Sequence, residues 1–171
     1  MPTEEGERIG VLPVIEFSEE VHVPHSPEIV WSVLSDPERC VECIEGSRLG
    51  EFHEDGSFDA FMAVKFAGLK VSFKANVTLE LNQEGKTGRL SGSGGDKRGS
   101  TRVTMGADYA VIADGNGSSV TLDGSAEVKG PLAGLVSTGA SLVVDRMAKS
   151  FTRELAAKCD AISAVGTEGA L

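Results

Sequence analysis

The chain has 171 residues, with 16 lysines and arginines against 26 aspartates and glutamates, for a formal net charge of −10. That balance would repel a nucleic-acid backbone and argues against docking on anionic lipid by charge alone. The length suits one domain that buries its core without metal or disulfide staples, and 40% hydrophobic with 25% charged residues is an ordinary globular mixture.

Residues 1–12 are acidic and patternless, which predicts a disordered extension before a single domain at 13–165; residues 166–171 are expected as a flexible tail. Val14 to Val23 alternates, with Ile15, Phe17, Val21 and Val23 on one face, and reads as the first strand. Ser26-Pro27-Glu28 then has the order of an N-cap, a first-turn proline and an acid that complements the helix dipole. Asp36-Pro37 opens a second short helix to about Ile44, which Gly46 ends. Strands follow over Arg48–Glu54, Phe58–Phe66, Leu69–Leu81 and Thr87–Ser93. Two more run along Val103, Met105, Ala107, Tyr109 and Val111, and along Val120, Leu122, Gly124, Ala126 and Val128. Turn signals at Asp55-Gly56, Ala67-Gly68, Glu84-Gly85 and Asp114-Gly115-Asn116-Gly117 separate them. Leu69–Leu81 carries apolar residues on one face and polar ones on the other, as in an antiparallel sheet wet on one side.

Gly130-Pro131 opens one long amphipathic segment to about Ile162, with Leu132, Leu135, Val136, Leu142, Val143, Met147, Phe151 and Leu155 at helical spacing. Gly139 lies inside that stripe, where glycine costs about 1 kcal/mol relative to alanine, so it leaves space for the sheet or for a ligand. The predicted fold is α+β: seven antiparallel strands in a curved sheet around a long C-terminal helix, with two short helices between strands one and two.

No stretch reaches the roughly 20 apolar residues that cross a bilayer, and the N-terminus lacks the basic-then-apolar order of a signal peptide. The three cysteines are odd in number, so free thiols and a cytoplasmic location are expected. Cys40 and Cys43 have C-x2-C spacing but no second pair, and packing is the simpler reading. His22 and His25 read as surface residues. Glu19 falls on the inward parity of strand one, where a bulge that turns it outward is the favoured reading over a buried acid. Ser91-Gly-Ser-Gly-Gly95 with Lys97-Arg98 lacks the strand-before, helix-after setting of a phosphate loop and reads as a flexible hairpin. No nucleophile–base–orienter set and no cofactor motif appear.

Val23-Pro24-His25-Ser26-Pro27-Glu28-Ile29-Val30-Trp31 resembles the V-x-A-P-x-E-x-V-W entry of the START-like (SRPBCC) superfamily. Leu34-Ser35-Asp36-Pro37-Glu38, Cys43-Ile44-Glu45-Gly46, Asp55-Gly56-Ser57-Phe58-Asp59-Ala60, Val64-Lys65 and Gly130-Pro131-Leu132-Ala133 resemble the CoxG family of carbon monoxide dehydrogenase accessory proteins, except that Glu45 stands where the family usually has proline. Many members also carry a C-terminal apolar, membrane-binding extension that these residues do not include.

The resemblance implies a helix-grip fold with a hydrophobic cavity between sheet and last helix. It also implies binding of a lipid or quinone-like molecule, and an accessory, non-catalytic role beside a molybdenum hydroxylase, with peripheral contact at the inner face of the membrane. The cavity is expected to be lined by Phe58, Met62, Val64, Phe66, Val71, Phe73, Met105, Tyr109, Leu132, Leu135, Val136, Gly139, Val143 and Met147. The alternatives are a pure protein–protein adaptor and a polyketide cyclase or aromatase using Glu19 and Tyr109.

Overall fold

A computed structural model describes residues 14–170 except 67, 98 and 132; the side chains of residues 66, 69, 135–138, 140, 141 and 166–170 are outside the description. The expected disorder of residues 1–12 and the position of Leu132 therefore fall outside the described residues.

Strand β1 (Val14–Val23) is followed by helices α1 (Pro27–Leu34) and α2 (Pro37–Val41), then strands β2 (Ser47–Phe52), β3 (Phe58–Phe66), β4 (Leu69–Asn82), β5 (Thr87–Asp96), β6 (Arg102–Asp114) and β7 (Gly117–Lys129), and helix α3 (Ala133–Ala170). All seven strands form one antiparallel sheet in the order β1-β7-β6-β5-β4-β3-β2. Five hairpins zip β2 to β7 by neighbour pairing. Among the described residues only β1 pairs non-locally, with β7, so α1 and α2 carry the chain from one sheet edge to the other.

The helix starts follow the sequence signals. Ser26 caps α1 by accepting from the Ile29 amide at 3.4 Å, and Asp36 caps α2 by accepting from the Glu38 amide at 3.0 Å; a proline begins each helix. Gly46 takes φ +80, and a side chain there would run into the Ala63 carbonyl. Gly130, at φ +116, sits against the Ser100 and Thr101 backbone, so the chain can turn sharply from β7 into α3.

Three boundaries and two side-chain readings depart from the sequence expectation. Helix α3 continues to Ala170, beyond the apolar stripe, because helical hydrogen bonds do not need a buried face. Ser91–Gly95 is regular strand, and the turn begins only after Asp96, whose carboxylate accepts from the Ser100 and Thr101 amides. Glycine there permits close approach: a side chain at Gly94 would overlap the β4 backbone at Lys74 and Ala75. The second helix ends at Val41, three residues before Ile44.

Glu19 is not turned outward. The β1–β7 register is unbroken from Val14 to Val23, and Glu19 lies opposite Leu122 with inward parity, half-buried. His25 is not a surface residue either: its side chain is 13% exposed and its Nε2 lies 2.6 Å from the Asp160 carboxylate on α3.

The densest packing is at one end of the sheet. Val23, Val30, Trp31, Val33, Leu34, Cys43, Val111, Val120, Leu155 and Cys159 form the core cluster, where α1 and the second half of α3 close on β1, β6 and β7. Lys158 pairs with Glu42 at 2.5 Å, which fixes the same turn of α3 to the end of α2.

Candidate functional site

The strand register assembles the concave face in rows. Phe58, Val77, Gly92, Met105, Ala126 and Ile15 lie side by side across β3, β4, β5, β6, β7 and β1. Toward the β3–β4 hairpin come Ala60, Ala75, Gly94, Val103 and Val128, then Met62 beside Phe73, then Val64 beside Val71. In the other direction lie Leu79, Leu90, Ala107, Gly124 and Phe17, then Leu81, Gly88, Tyr109, Leu122 and Glu19.

Of the expected lining residues, Phe58, Met62, Val64, Val71, Phe73, Met105 and Tyr109 thus share this one face. Phe58 is buried against Phe52, with ring centroids 5.2 Å apart. Met62, Val64, Val71, Phe73 and Met105 are only half-buried. Phe66 pairs with Leu69 at the end of the same hairpin, but its side chain is outside the described set, as are those of Leu135 and Val136. On α3, Gly139 is buried and Val143 and Met147 are half-buried. Arg146, between them in sequence, donates through Nη2 to the Lys65 carbonyl at 2.8 Å, which brings this turn of α3 to the far end of β3.

Tyr109 closes the opposite end. Its hydroxyl donates to the Leu34 carbonyl at 2.8 Å, its ring lies 6.2 Å from that of Trp31, and it covers Gly88. Burial first, and the neighbouring Cys40 second, push the phenol above its ordinary range. Trp31 donates through Nε1 to Gln83 Oε1 at 2.7 Å. The tyrosine hydroxyl is therefore held by α1. Glu19, in the same row two strands away, forms no hydrogen bond or ion pair among the described residues.

The C-x2-C cysteines belong to the core. Cys43 and Cys159 are fully buried in the same cluster, with Cys40 packed against it. Burial is the first cause that pushes Cys40 up to about 12 and Cys159 up to about 11, so both stay as protonated, unreactive thiols. His22 is exposed, 3.4 Å from Asp114. On the convex face, an open depression lined by Glu80, Arg89, Asp108 and Thr121 among others is crossed by the Arg89–Asp108 ion pair at 2.8 Å.

Sequence reasoning missed Arg146, Trp31–Gln83 and His25–Asp160, which join residues 81, 52 and 135 apart in the chain. No local pattern announces such contacts.

Among solved structures, the chain is similar to a conserved protein from Geobacillus kaustophilus, with TM-score 0.74, 20% identity, and 85% of this chain and 95% of the other covered. The Zhui aromatase/cyclase from Streptomyces sp. R1128 matches with TM-score 0.63 and 14% identity over 86% and 94%. A START superfamily protein from Mycobacterium smegmatis matches with TM-score 0.54 and 19% identity over 82% and 96%. At these identities the likeness is one of fold: the helix-grip arrangement of sheet and long helix. No curated protein matches the sequence. The profile of the carbon monoxide dehydrogenase CoxG family matches residues 20–160, nearly the whole described domain, and the chain belongs to that family.

Proposed function

We propose that this chain binds an apolar small molecule, lipid or quinone-like, between the concave face and α3, as a non-catalytic accessory to a carbon monoxide dehydrogenase-type molybdenum hydroxylase. One observation carries the binding reading. Met62, Val64, Val71, Phe73 and Met105 share the concave face yet remain half-buried, while the tightly packed core lies at the other end. Apolar side chains left partly wet on an inward surface fit a ligand-binding wall better than a finished core. Family membership supports the accessory role.

The test is native mass spectrometry after exposure to menaquinone, ubiquinone and fatty acids, with Gly139→Leu alongside. Gly139 is buried on α3, and leucine there is expected to abolish retained ligand while leaving the far-ultraviolet spectrum unchanged. Absence of any retained ligand on the native chain would overturn the proposal.

A second reading, an enzyme of the cyclase or aromatase type, draws on Glu19 and Tyr109 sharing a row and on the likeness to the Zhui aromatase/cyclase. Turnover of a polyketide-like substrate that disappears in Glu19→Gln would favour it; the bond from Tyr109 to Leu34 weighs against a free phenol acid.

A further inference from the structure

Thr101 is fully buried, and its Oγ1 is the one buried side-chain nitrogen or oxygen without a hydrogen-bond partner among the described residues. The backbone groups of the same residue are both satisfied. Its amide donates to the Asp96 carboxylate at 3.3 Å, and its carbonyl accepts from the Asp96 amide at 3.1 Å. Only the hydroxyl is left over. A hydroxyl that leaves water without gaining a partner costs free energy, so its position calls for a physical reason.

That position is at the proposed ligand wall. Thr101 immediately precedes β6 and has the inward parity of Val103 and Met105. The Asp96–Thr101 backbone bond continues the β5–β6 register by one residue, and Asp96 lies opposite Phe73, itself opposite Met62. Thr101 therefore extends the row of Met62 and Phe73, which are half-buried. In the adjoining row Ala60, Ala75 and Gly94 carry nothing larger than a methyl group, which leaves depth over the sheet. On the other side Gly130 backs onto the Thr101 Cα, where the chain turns toward α3. Asp96 is the other polar residue of the row, but its carboxylate only accepts and is already taken up by the Ser100 and Thr101 amides.

We infer that Thr101 Oγ1 is the polar anchor of the ligand site, donating a hydrogen bond to a neutral carbonyl or hydroxyl oxygen at one end of an otherwise apolar molecule. This inference rests on the ligand reading above and gives that ligand a chemical class. A single neutral donor matches a single neutral oxygen. An ionised carboxylate in the same place would be buried against one hydroxyl and repelled by the Asp96 carboxylate, which lies 3.3 Å from the Thr101 amide.

The test titrates the full chain with tridecane, methyl undecyl ketone and tridecanoic acid at neutral pH, read by native mass spectrometry. The three share a chain length and differ at one end. The ketone is expected to bind about tenfold tighter than tridecane, the contribution of one buried hydrogen bond, and tighter than the acid. Thr101→Val keeps the shape and removes the hydroxyl, so the ketone should fall to the level of tridecane while tridecane itself is unchanged. Thr101→Ser should keep the preference for the ketone. The Tm of unliganded Thr101→Val should be unchanged or raised, because no internal hydrogen bond is lost. Equal binding of ketone and tridecane, a ketone preference that survives in Thr101→Val, or an acid that matches the ketone would overturn the anchor and leave the cavity reading standing. A lowered Tm in Thr101→Val would overturn it too, by showing that the hydroxyl is bonded within the fold. Retention of none of the three probes would overturn both readings.

Discussion

Tyr109 and Gly88 lie opposite each other in the β5–β6 register, and the absent side chain of Gly88 is what lets the tyrosine ring lie flat across β5 toward Leu34. Gly88→Ala would push a methyl group into a ring held at its hydroxyl end. It is expected to cost about 1–3 kcal/mol by overpacking, read from urea unfolding. Because the chain contains one tryptophan and one tyrosine, and the two are neighbours here, Trp31 fluorescence should shift in the same variant. A second residue-scale prediction concerns His53 and Asp59. Their side-chain hydrogen bond, 2.9 Å long, is the first cause of both shifts: it raises His53 and lowers Asp59 from their ordinary values. A raised histidine supports the fold below its ordinary value, and that support is lost as pH rises through the raised one. A lowered aspartate supports it above its ordinary value, and that support is lost as pH falls through the lowered one. Both act between about pH 4 and about pH 6.5. The Tm difference between the native chain and His53→Gln should be largest in that window and shrink on either side.

Helix α3 does two jobs along its length. Its second half is bolted down by Leu155 and Cys159 in the core, by Lys158 on Glu42 and by Asp160 on His25. Its first half meets the sheet at Arg146 on the Lys65 carbonyl and carries the buried Gly139. The entry to the helix depends on Gly130, whose φ of +116 no L side chain adopts easily and whose open side faces the Ser100 carbonyl. Gly130→Ala is therefore expected to destabilise the chain by more than the ~1 kcal/mol that alanine usually contributes in place of glycine. Chemical denaturation would measure it. The caps of α1 and α2 and the glycine–proline opening were legible in the sequence, because capping residues act on amides two or three positions away. The continuation of α3 past Ile162 was not, because the apolar stripe reports only the part of a helix that packs.

Over the whole molecule, stability and the proposed function occupy different ends of one sheet. Leu155, fully buried where α1, α3 and the core strands meet, should lose about 2–5 kcal/mol on truncation to alanine. Met62→Ala, at a half-buried concave position, should cost about 1 kcal/mol but reduce retained ligand. Thermal melts paired with native mass spectrometry check both, and equal costs at the two sites would contradict the division. The convex face carries local charge of its own: at the end of the β3–β4 hairpin Lys65 stands opposite Lys70, both exposed, on a chain whose total charge is strongly negative. A whole-chain sum therefore says nothing about the sign of any one face.

By itself, the sequence determined the order of the elements, the inward parity of β3, β4, β6 and β7, both short-helix caps and the family, because alternation, helical spacing and capping act within a few residues along the chain. Tertiary structure alone decided that β1 closes beside β7 with Glu19 facing inward, that Tyr109 is tied to Leu34, that three cysteines share a core, and that Arg146 reaches the Lys65 carbonyl at the end of β3. Each of these rests on pairing between segments distant in sequence, 81 residues apart for Arg146 and Lys65. Sheet closure and helix packing select such partners, and no local residue pattern encodes them.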